Sequence, residues 1–205
     1  MIYSYSWCME KFQFILLCVA AYLLGSIPFG FLVARARGID IRKEGSGNIG
    51  GTNITRVLGF KWGLLVAALD FGKGYLASLL AAHFYADGWQ MLVISMIAVL
   101  GHVFSGFLAF KGGKGVATTF GILGFYFGIP YFTLFLIVWY VAVKYIKLMS
   151  LVNLIVGLLL PLAFWLKFHS LPHLLLGVAL CVVIWWSHRE NIKRLLKGKE
   201  LPTNY

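Results

Sequence analysis

The hydrophobic pattern of the chain is a series of long apolar runs separated by short polar segments. Such runs predict membrane-spanning helices, because a helix needs roughly 20 apolar residues to cross the hydrocarbon of a bilayer. The fourth and fifth runs have only 13 residues each and would need local thinning of the bilayer or help from flanking aromatic side chains. The seven predicted spans are residues 12–36, 61–84, 89–110, 116–128, 131–143, 148–166 and 171–186.

Composition indicates the same class of protein. Of the 205 residues, 60% are hydrophobic and 12% are charged, which excludes an ordinary soluble domain. We therefore predict an all-α integral membrane protein with a single domain, residues 1–205. The first run is too long for a removable signal peptide and lacks a small-residue cleavage site. The three cysteines, Cys8, Cys18 and Cys181, have no metal-ligand spacing and receive no role.

The basic residues are distributed unevenly between the two sides of the predicted bundle. A net charge of +11 in so apolar a chain is typical of Lys and Arg anchoring cytoplasmic loops, rather than of nucleic-acid binding. If the spans alternate, all of the 18 Lys and Arg except Lys11, Lys73 and Lys167 fall on one side. The pattern predicts an N-terminus outside, a turn at 86–88 outside, and a cytoplasmic C-terminus with cytoplasmic glycine-rich loops.

The segment 45–59 is the first of two glycine-rich polar segments and has the character of an anion site. Its glycines allow φ > 0, so that successive N–H groups can converge on one oxyanion, and Arg56 adds a permanent fork-shaped cation. The apolar run that follows predicts a helix whose N-terminus points at the same place. The predicted substrate-binding residues here are Ser46, Gly47, Asn48, Gly50, Thr52, Asn53 and Arg56, with Thr55 as a further neutral donor.

Other interpretations of this segment are weaker. Residues 45–50 match the dinucleotide fingerprint G-x-G-x-x-G, and Asp70 follows at a suitable distance, but no buried strand precedes Gly45 and Asp70 lies inside an apolar run. Residues 53–55 form a glycosylation acceptor, but on the side predicted to be cytoplasmic. A flexible spacer would not need so many hydroxyl, amide and guanidinium groups.

The second glycine-rich segment, 110–119, lies on the same predicted side. It is not a P-loop, because Leu108 stands where that motif requires glycine. Lys114 directly precedes an apolar run, so we expect it at a helix start with free N–H groups around it. The predicted substrate-binding residues of this segment are Lys111, Gly112, Gly113, Lys114 and Gly115.

Several features inside the apolar runs have a structural and a functional interpretation. Asp70 and Lys73 are three residues apart and can pair on one helix face, which we favour over a direct catalytic role. For His102, a hydrogen bond to a neighbouring helix is favoured over general-base chemistry. The segment 25–30, with Pro28, either loosens the first span beside a cavity or is an ordinary membrane-helix sequence.

The polar C-terminal tail carries His188 and Asn191, which share one helix face at a spacing of three. Lys193 and Arg194 lie beside them. The tail is also typical of an interfacial basic helix that contacts anionic lipid. A functional role for His188 and Asn191 and a lipid contact for the basic residues both stay open.

These residues exclude several function classes. Metal-dependent phosphotransfer needs clustered carboxylates, and the cytoplasmic acids Asp40, Glu44, Glu190 and Glu200 are scattered. A Ser-His-Asp hydrolase would need a nucleophile elbow, and the common glycerolipid acyltransferases have His and Asp five positions apart, which none of the histidines shows. The remaining classes bind and position phosphates, for transfer or for transport.

The motifs resemble those of a known family. The segments that carry the resemblance are 25–30, 40–42, 45–59, 101–104, 107–118 and 188–195. They are similar to the bacterial acyl-phosphate:glycerol-3-phosphate acyltransferases, often called PlsY. The resemblance implies an enzyme of the bacterial inner membrane that transfers a fatty acyl group from acyl phosphate to the sn-1 hydroxyl of glycerol 3-phosphate. It also implies no cofactor and no metal, and no obligatory protein partner is evident.

The resemblance also implies site residues. The family's catalytic arginine, lysine, histidine and asparagine match Arg56, Lys114, His188 and Asn191, and its phosphate-binding serine matches Ser46. After the fifth span the family usually has Ser-Leu-x-Ser, whereas this chain has Ser-Leu-Val-Asn at 150–153. Asn153 thus replaces the second serine, and Ser150 is the serine contact that the resemblance leaves. Ser105 stands where the family usually has proline. The rival hypothesis is a transporter or flippase for a phosphorylated solute. Two features argue against it: the polar segments lie on one predicted side of the membrane, and the sequence has no evident internal repeat.

Overall fold

The computed structural model describes residues 2–85 and 88–203, and the side chains from residue 9 onward. Most of the predicted turn at 86–88 therefore lies outside the described residues. Every regular element in the described part of the chain is helical. The α-helices are α1 (Ile2–Ser26), α2 (Phe29–Arg35), α3 (Gly51–Leu58), α4 (Phe60–Phe84), α5 (Trp89–Val103), α6 (Val116–Phe127), α7 (Ile129–Ile146), α8 (Met149–Phe168), α9 (Leu171–Ser187) and α10 (Arg189–Leu196), with short 3₁₀ turns at Ile41–Lys43 and Gly106–Leu108.

The apolar helices agree with the predicted apolar runs. By length and composition, five stretches in the described residues are able to cross a membrane: Met9–Arg35, Phe60–Phe84, Trp89–Leu108, Ile129–Ile146 and Met149–Phe168. Helices α9 and α10 make a sixth if the bent pair is one span, and α6 is shorter, with 12 residues. The all-helical membrane architecture is thus confirmed, while the count of seven and the orientation stay predictions.

The first span is broken between Ser26 and Phe29, which agrees with the first of the two interpretations of segment 25–30, a loosened helix. Helix α1 ends at Ser26 and α2 begins at Phe29, because Pro28 has no N–H to continue the helical hydrogen bonding. The break does not line the cavity described below. Its carbonyl groups instead accept hydrogen bonds from Lys73, so the break serves to attach α4 to the first span.

Three predicted boundaries were wrong. Helix α1 begins at Ile2 rather than at residue 12, and α5 ends at Val103 rather than at residue 110, because Phe104 leaves the helical conformation with φ −110° and ψ 57°. Helix α7 has 18 residues rather than 13. It continues past Val143 because a lysine near the end of a membrane helix can extend to the interface without breaking it, and it ends at Ile146 because Lys147 takes a left-handed φ of 58°.

Helix α4 is central and packs against α3, α5 and α6, while α5 packs against α1 and α9, and α9 against α8. The crossing of α4 and α6 is close because glycine stands on both helices. A Cβ at Gly74 would lie 1.9 Å from the Thr118 carbonyl oxygen, and one at Gly121 would lie 2.0 Å from that of Phe71. This close contact fixes the position of the α6 N-terminus.

The C-terminal tail folds back over the bundle. Helices α9 and α10 meet at an angle of 61° at His188, so the tail does not simply continue the last span. Gly198, with φ 63°, ends α10 and turns the chain. Thr203 then pairs with the α7–α8 loop, since its N–H donates to the Lys147 carbonyl at 2.8 Å and its Oγ1 accepts from the Met149 N–H at 3.2 Å.

Candidate active site

A cavity of about 560 Å³ lies where the two glycine-rich segments, α8 and the tail meet. Three helices begin at its wall, and the positive ends of their dipoles make it attractive to anions. The residues that bring these helix starts to the cavity are Gly51 and Thr52 of α3, Val116 and Ala117 of α6, and Met149 and Ser150 of α8.

Asn53 organises the first glycine-rich segment from inside. Its side chain is buried, and its amide donates to the carbonyl groups of Glu44 and Asn48, each at 2.9 Å. Its Oδ1 accepts from the Ser46 N–H at 2.9 Å and from the Arg56 guanidinium at 3.3 Å. Asn53 thus uses its polar atoms to hold the loop and to position Arg56.

The backbone of this segment is only partly available to an anion. Gly45 and Gly47 have left-handed φ angles of 57° and 71°, as the sequence predicted. The Gly47 N–H, however, donates to the Glu44 carbonyl, and the Gly50 N–H donates to the Asn48 side chain. The converging N–H groups predicted for the loop are therefore largely used inside it, and the first turn of α3 supplies the available donors.

Lys114 lies at the centre of a chain of polar contacts. Its ammonium donates to the Asn191 Oδ1, the Asn191 amide donates to Glu200 at 2.8 Å, and Arg194 donates to the other Glu200 oxygen at 3.0 Å. Burial lowers the pKa of Lys114 to about 8, with the positive charges of Arg194 and Arg56 acting in the same direction and Glu200 opposing them. A bound anion would stabilise the charged form of Lys114.

His188 lies at the corner between α9 and α10 and is only 1% exposed. Its Nδ1 is 2.8 Å from the Ile184 carbonyl oxygen, which can only accept, so Nδ1 carries the proton and Nε2 is an acceptor. Burial, reinforced by the charge of Lys114, lowers the pKa of His188 to about 4. The imidazole is therefore neutral near pH 7.

A buried ionic network forms part of the cavity wall, which Asp70 and His102 line. Lys73 forms an ion pair with Asp70 at 2.8 Å, as predicted, and its Nζ is 2.9 Å from the His102 Nδ1. The same ammonium donates to the carbonyl groups of Gly25 and Ile27 at 3.0 and 2.9 Å. The interhelical contact favoured for His102 is thus present, and the network joins α4, α5 and the break in the first span.

The second glycine-rich segment rests directly on His102. The N–H groups of Gly112 and Gly113 donate to the carbonyl groups of Val103 and His102, which terminate α5. A Cβ at Gly113 would lie 2.2 Å from the His102 Nε2, so glycine permits this approach. These N–H groups are not free, and their contacts fix the loop that presents Lys114.

The opposite part of the cavity is apolar and aromatic. Side chains of α4, α6 and α7 form it: Phe71, Phe120, Phe132, Leu136 and Trp139. The Phe120 ring makes edge contacts with Trp139 at 5.4 Å and with Phe132 at 6.5 Å between centroids. One cavity thus joins a cationic end to a hydrocarbon-like end.

Residues 15–198 match the family model described as glycerol-3-phosphate acyltransferase. The chain belongs to the glycerol-3-phosphate acyltransferase family. A relative from Aquifex aeolicus is 40% identical over 187 residues, 90% of this chain and 96% of the relative. One from Thermus thermophilus is 43% identical over 183 residues, 88% of this chain and 90% of the relative.

A solved structure also resembles the chain. The crystal structure of PlsY, an integral membrane glycerol 3-phosphate acyltransferase, in its glycerol 3-phosphate form gives a TM-score of 0.87 at 38% identity, over 94% of this chain and 96% of that one. Its lysophosphatidic acid form gives 0.84. The protein is therefore an integral membrane acyltransferase of phospholipid synthesis, which decides between transfer and transport.

Most residues predicted for the acyltransferase site line the cavity. They are Ser46, Asn48, Gly50, Thr52, Asn53, Arg56, Lys114, Gly115, Ser150, His188 and Asn191. Gly47, Lys111, Gly112 and Gly113 are not among the lining residues. Lys111 is exposed, and the three glycines support the two loops.

The lining also includes residues that the sequence did not predict for the site, among them Trp139, Asn153, Glu200 and Thr203. The polar spacing of Ser150 and Asn153 on α8 was a usable signal for Asn153. Glu200 had no such signal, because the turn at Gly198 brings it back to the cavity. In the described part of the chain, no three His, Cys, Asp or Glu side chains come together as a metal-binding group.

Proposed function

We propose that the protein transfers a fatty acyl group from acyl phosphate to the sn-1 hydroxyl of glycerol 3-phosphate. The products are lysophosphatidic acid and inorganic phosphate. The observation that carries the proposal is the two-part cavity, in which a cationic end with three helix N-termini continues into an aromatic end. Acyl phosphate has the same two parts, an anionic head and a hydrocarbon chain.

The cationic end has to bring two phosphates together. Two unit charges 5 Å apart repel by about 3 kcal/mol at an effective dielectric constant of about 20, and phosphates carry more than one charge. Arg56 and Lys114 offset this repulsion, together with the helix starts of α3 and α6. Ser46, Asn48 and Thr52 line the same end and provide neutral donors.

Acyl phosphate is already an activated mixed anhydride, so we propose direct transfer. The glycerol hydroxyl oxygen attacks the acyl carbonyl carbon, forming the new ester bond. The bond between the carbonyl carbon and the phosphate oxygen then breaks, and phosphate leaves with its electron pair. The hydroxyl proton passes to a substrate phosphate oxygen, while His188 and Asn191 orient the glycerol.

The proposal places the enzyme in the bacterial inner membrane, with seven spans, the N-terminus outside and the cavity on the cytoplasmic face. Two features support this orientation. Basic residues concentrate in the loops and tail that surround the cavity. The apolar side chains on the outer faces of the helices, such as Leu158 and Leu162, are exposed in a manner suited to lipid.

The test is a comparison of donors with purified protein and glycerol 3-phosphate. With acyl phosphate, phosphate and lysophosphatidic acid should form in equal amounts, in excess chelator as well as without it, whereas acyl-CoA should not serve. Turnover with acyl-CoA alone would contradict the donor. Complete loss on chelation that Mg²⁺ restores would contradict metal independence.

A further inference from the structure

The start of α8 presents two polar side chains to the cavity. Ser150 and Asn153 are three residues apart on one helix face, are 5% and 6% exposed, and both line the cavity. Ser150 Oγ is buried without a hydrogen-bond partner among the described residues. A buried hydroxyl without a partner is destabilising, and a hydrogen-bond acceptor on a ligand would remove that cost.

Asn153 is held in one orientation by an aromatic residue of α7. The Trp139 Nε1–H donates to the Asn153 Oδ1 at 3.0 Å. An indole N–H can only donate, so the oxygen of the amide must face Trp139 and its NH₂ group must face away. No described residue accepts a hydrogen bond from that NH₂ group, and Asn153 lines the cavity.

The pair lies at the boundary between the two ends of the cavity. On one side the Trp139 ring belongs to the aromatic wall and contacts Phe120. On the other side the tail connects the start of α8 to the cationic end, since Thr203 accepts from the Met149 N–H and the neighbouring Pro202 carbonyl accepts from Arg56.

We infer that Ser150 and Asn153 donate hydrogen bonds to the acyl carbonyl oxygen of the donor, and that Trp139 is the positioning residue that aims the Asn153 amide at it. The inference rests on the proposed function. An acyl phosphate that fills both ends must place its carbonyl at this boundary. Neutral donors suit an oxygen that is uncharged in the ground state and gains negative charge during attack.

The predicted kinetic signature separates this role from simple packing. Losing a hydrogen-bond donor that acts on developing charge lowers kcat, while the binding of glycerol 3-phosphate changes little. Trp139→Phe keeps the ring and removes only the N–H that orients Asn153. We expect kcat to fall about 10-fold, with KM for glycerol 3-phosphate within twofold of wild type.

The matched control is Trp185→Phe. The Trp185 Nε1–H also donates to α8, to the Leu154 carbonyl at 3.1 Å, but Trp185 does not line the cavity. This variant should keep the wild-type kcat. In an Asn153→Ala background, Trp139→Phe should cause no further loss, because it acts through Asn153.

All variants are assayed as full chains, with acyl phosphate as donor and release of phosphate as the readout. A Trp139→Phe protein as active as the Trp185→Phe control would overturn the inference. The inference would also be overturned if Trp139→Phe lowered kcat equally in the Asn153→Ala background, or if Trp139→Phe changed only KM for glycerol 3-phosphate. If the wild-type protein itself does not use acyl phosphate, the proposed function fails and this inference fails with it.

Discussion

At the scale of single residues, the cationic end depends on how Lys114 and Arg56 are held. Lys114 bonds to Asn191, which is bonded to Glu200, and Arg56 is held by Asn53. The sequence pointed to four of these residues by their chemistry. It did not point to Glu200, whose place depends on the return of the tail.

The first residue-scale prediction concerns these two cations. Arg56→Ala and Lys114→Ala should each lose roughly 10² or more in kcat/KM, the scale of removing one charge-stabilising donor. Lys61→Ala removes an exposed lysine that does not line the cavity and should keep wild-type activity. Normal turnover by a well-folded Lys114→Ala protein would refute the role of Lys114.

The second residue-scale prediction concerns the activity at alkaline pH. Lys114 is charged below its pKa of about 8 and neutral above it, so kcat/KM should fall as the pH rises through that value. Lys114→Arg keeps the charge to much higher pH and should abolish this alkaline limb, even if its rate is lower. A limb that persists in Lys114→Arg would assign it to another group.

The third residue-scale prediction concerns His188 and the activity at acidic pH. Its pKa of about 4 leaves it neutral through pH 5–7, so an acidic limb near 6 belongs to a substrate phosphate, whose pKa is about 6. His188→Gln should therefore lower the rate by loss of alignment but retain that limb. Disappearance of the limb in the pH–rate profile of this variant would make His188 the general base.

At the scale of elements, the helix starts and the two loops are fixed by contacts behind the cavity. The sequence located the glycine-rich segments and nearly all the apolar helices, because glycine content and hydropathy are local signals. The bend at His188 and the pairing of Thr203 with the α7–α8 loop arise from long-range contacts, and no local pattern encodes them.

The buried ionic network should be needed for the fold. Lys73→Met leaves the Asp70 carboxylate buried without its cation, and breaking such a pair costs about 3–5 kcal/mol. We expect a clearly lower unfolding midpoint in one fixed detergent, partly restored in an Asp70→Asn/Lys73→Met protein. Lys144→Met, at an exposed lysine, is the control. An unchanged midpoint for Lys73→Met would mean that the network is dispensable.

At the scale of the whole molecule, one cavity combines an anion site with a hydrocarbon-like wall inside a membrane bundle. Under the proposed mechanism, this arrangement explains how a chain with so few acids can catalyse acyl transfer: an acyl phosphate donor would arrive activated, and the protein would supply charge and alignment. Composition and motifs predicted the class of enzyme, but the junction of the two ends at α8 emerged only from the packing of α7 on α8.

The most direct test of direct transfer is a single-turnover experiment. Protein in excess over acyl phosphate is mixed rapidly with or without glycerol 3-phosphate, and phosphate and acyl products are measured in the quenched samples. The account predicts that phosphate and lysophosphatidic acid appear together, one to one, and only when glycerol 3-phosphate is present. A burst of phosphate without glycerol 3-phosphate, with the acyl group left on the protein, would contradict it.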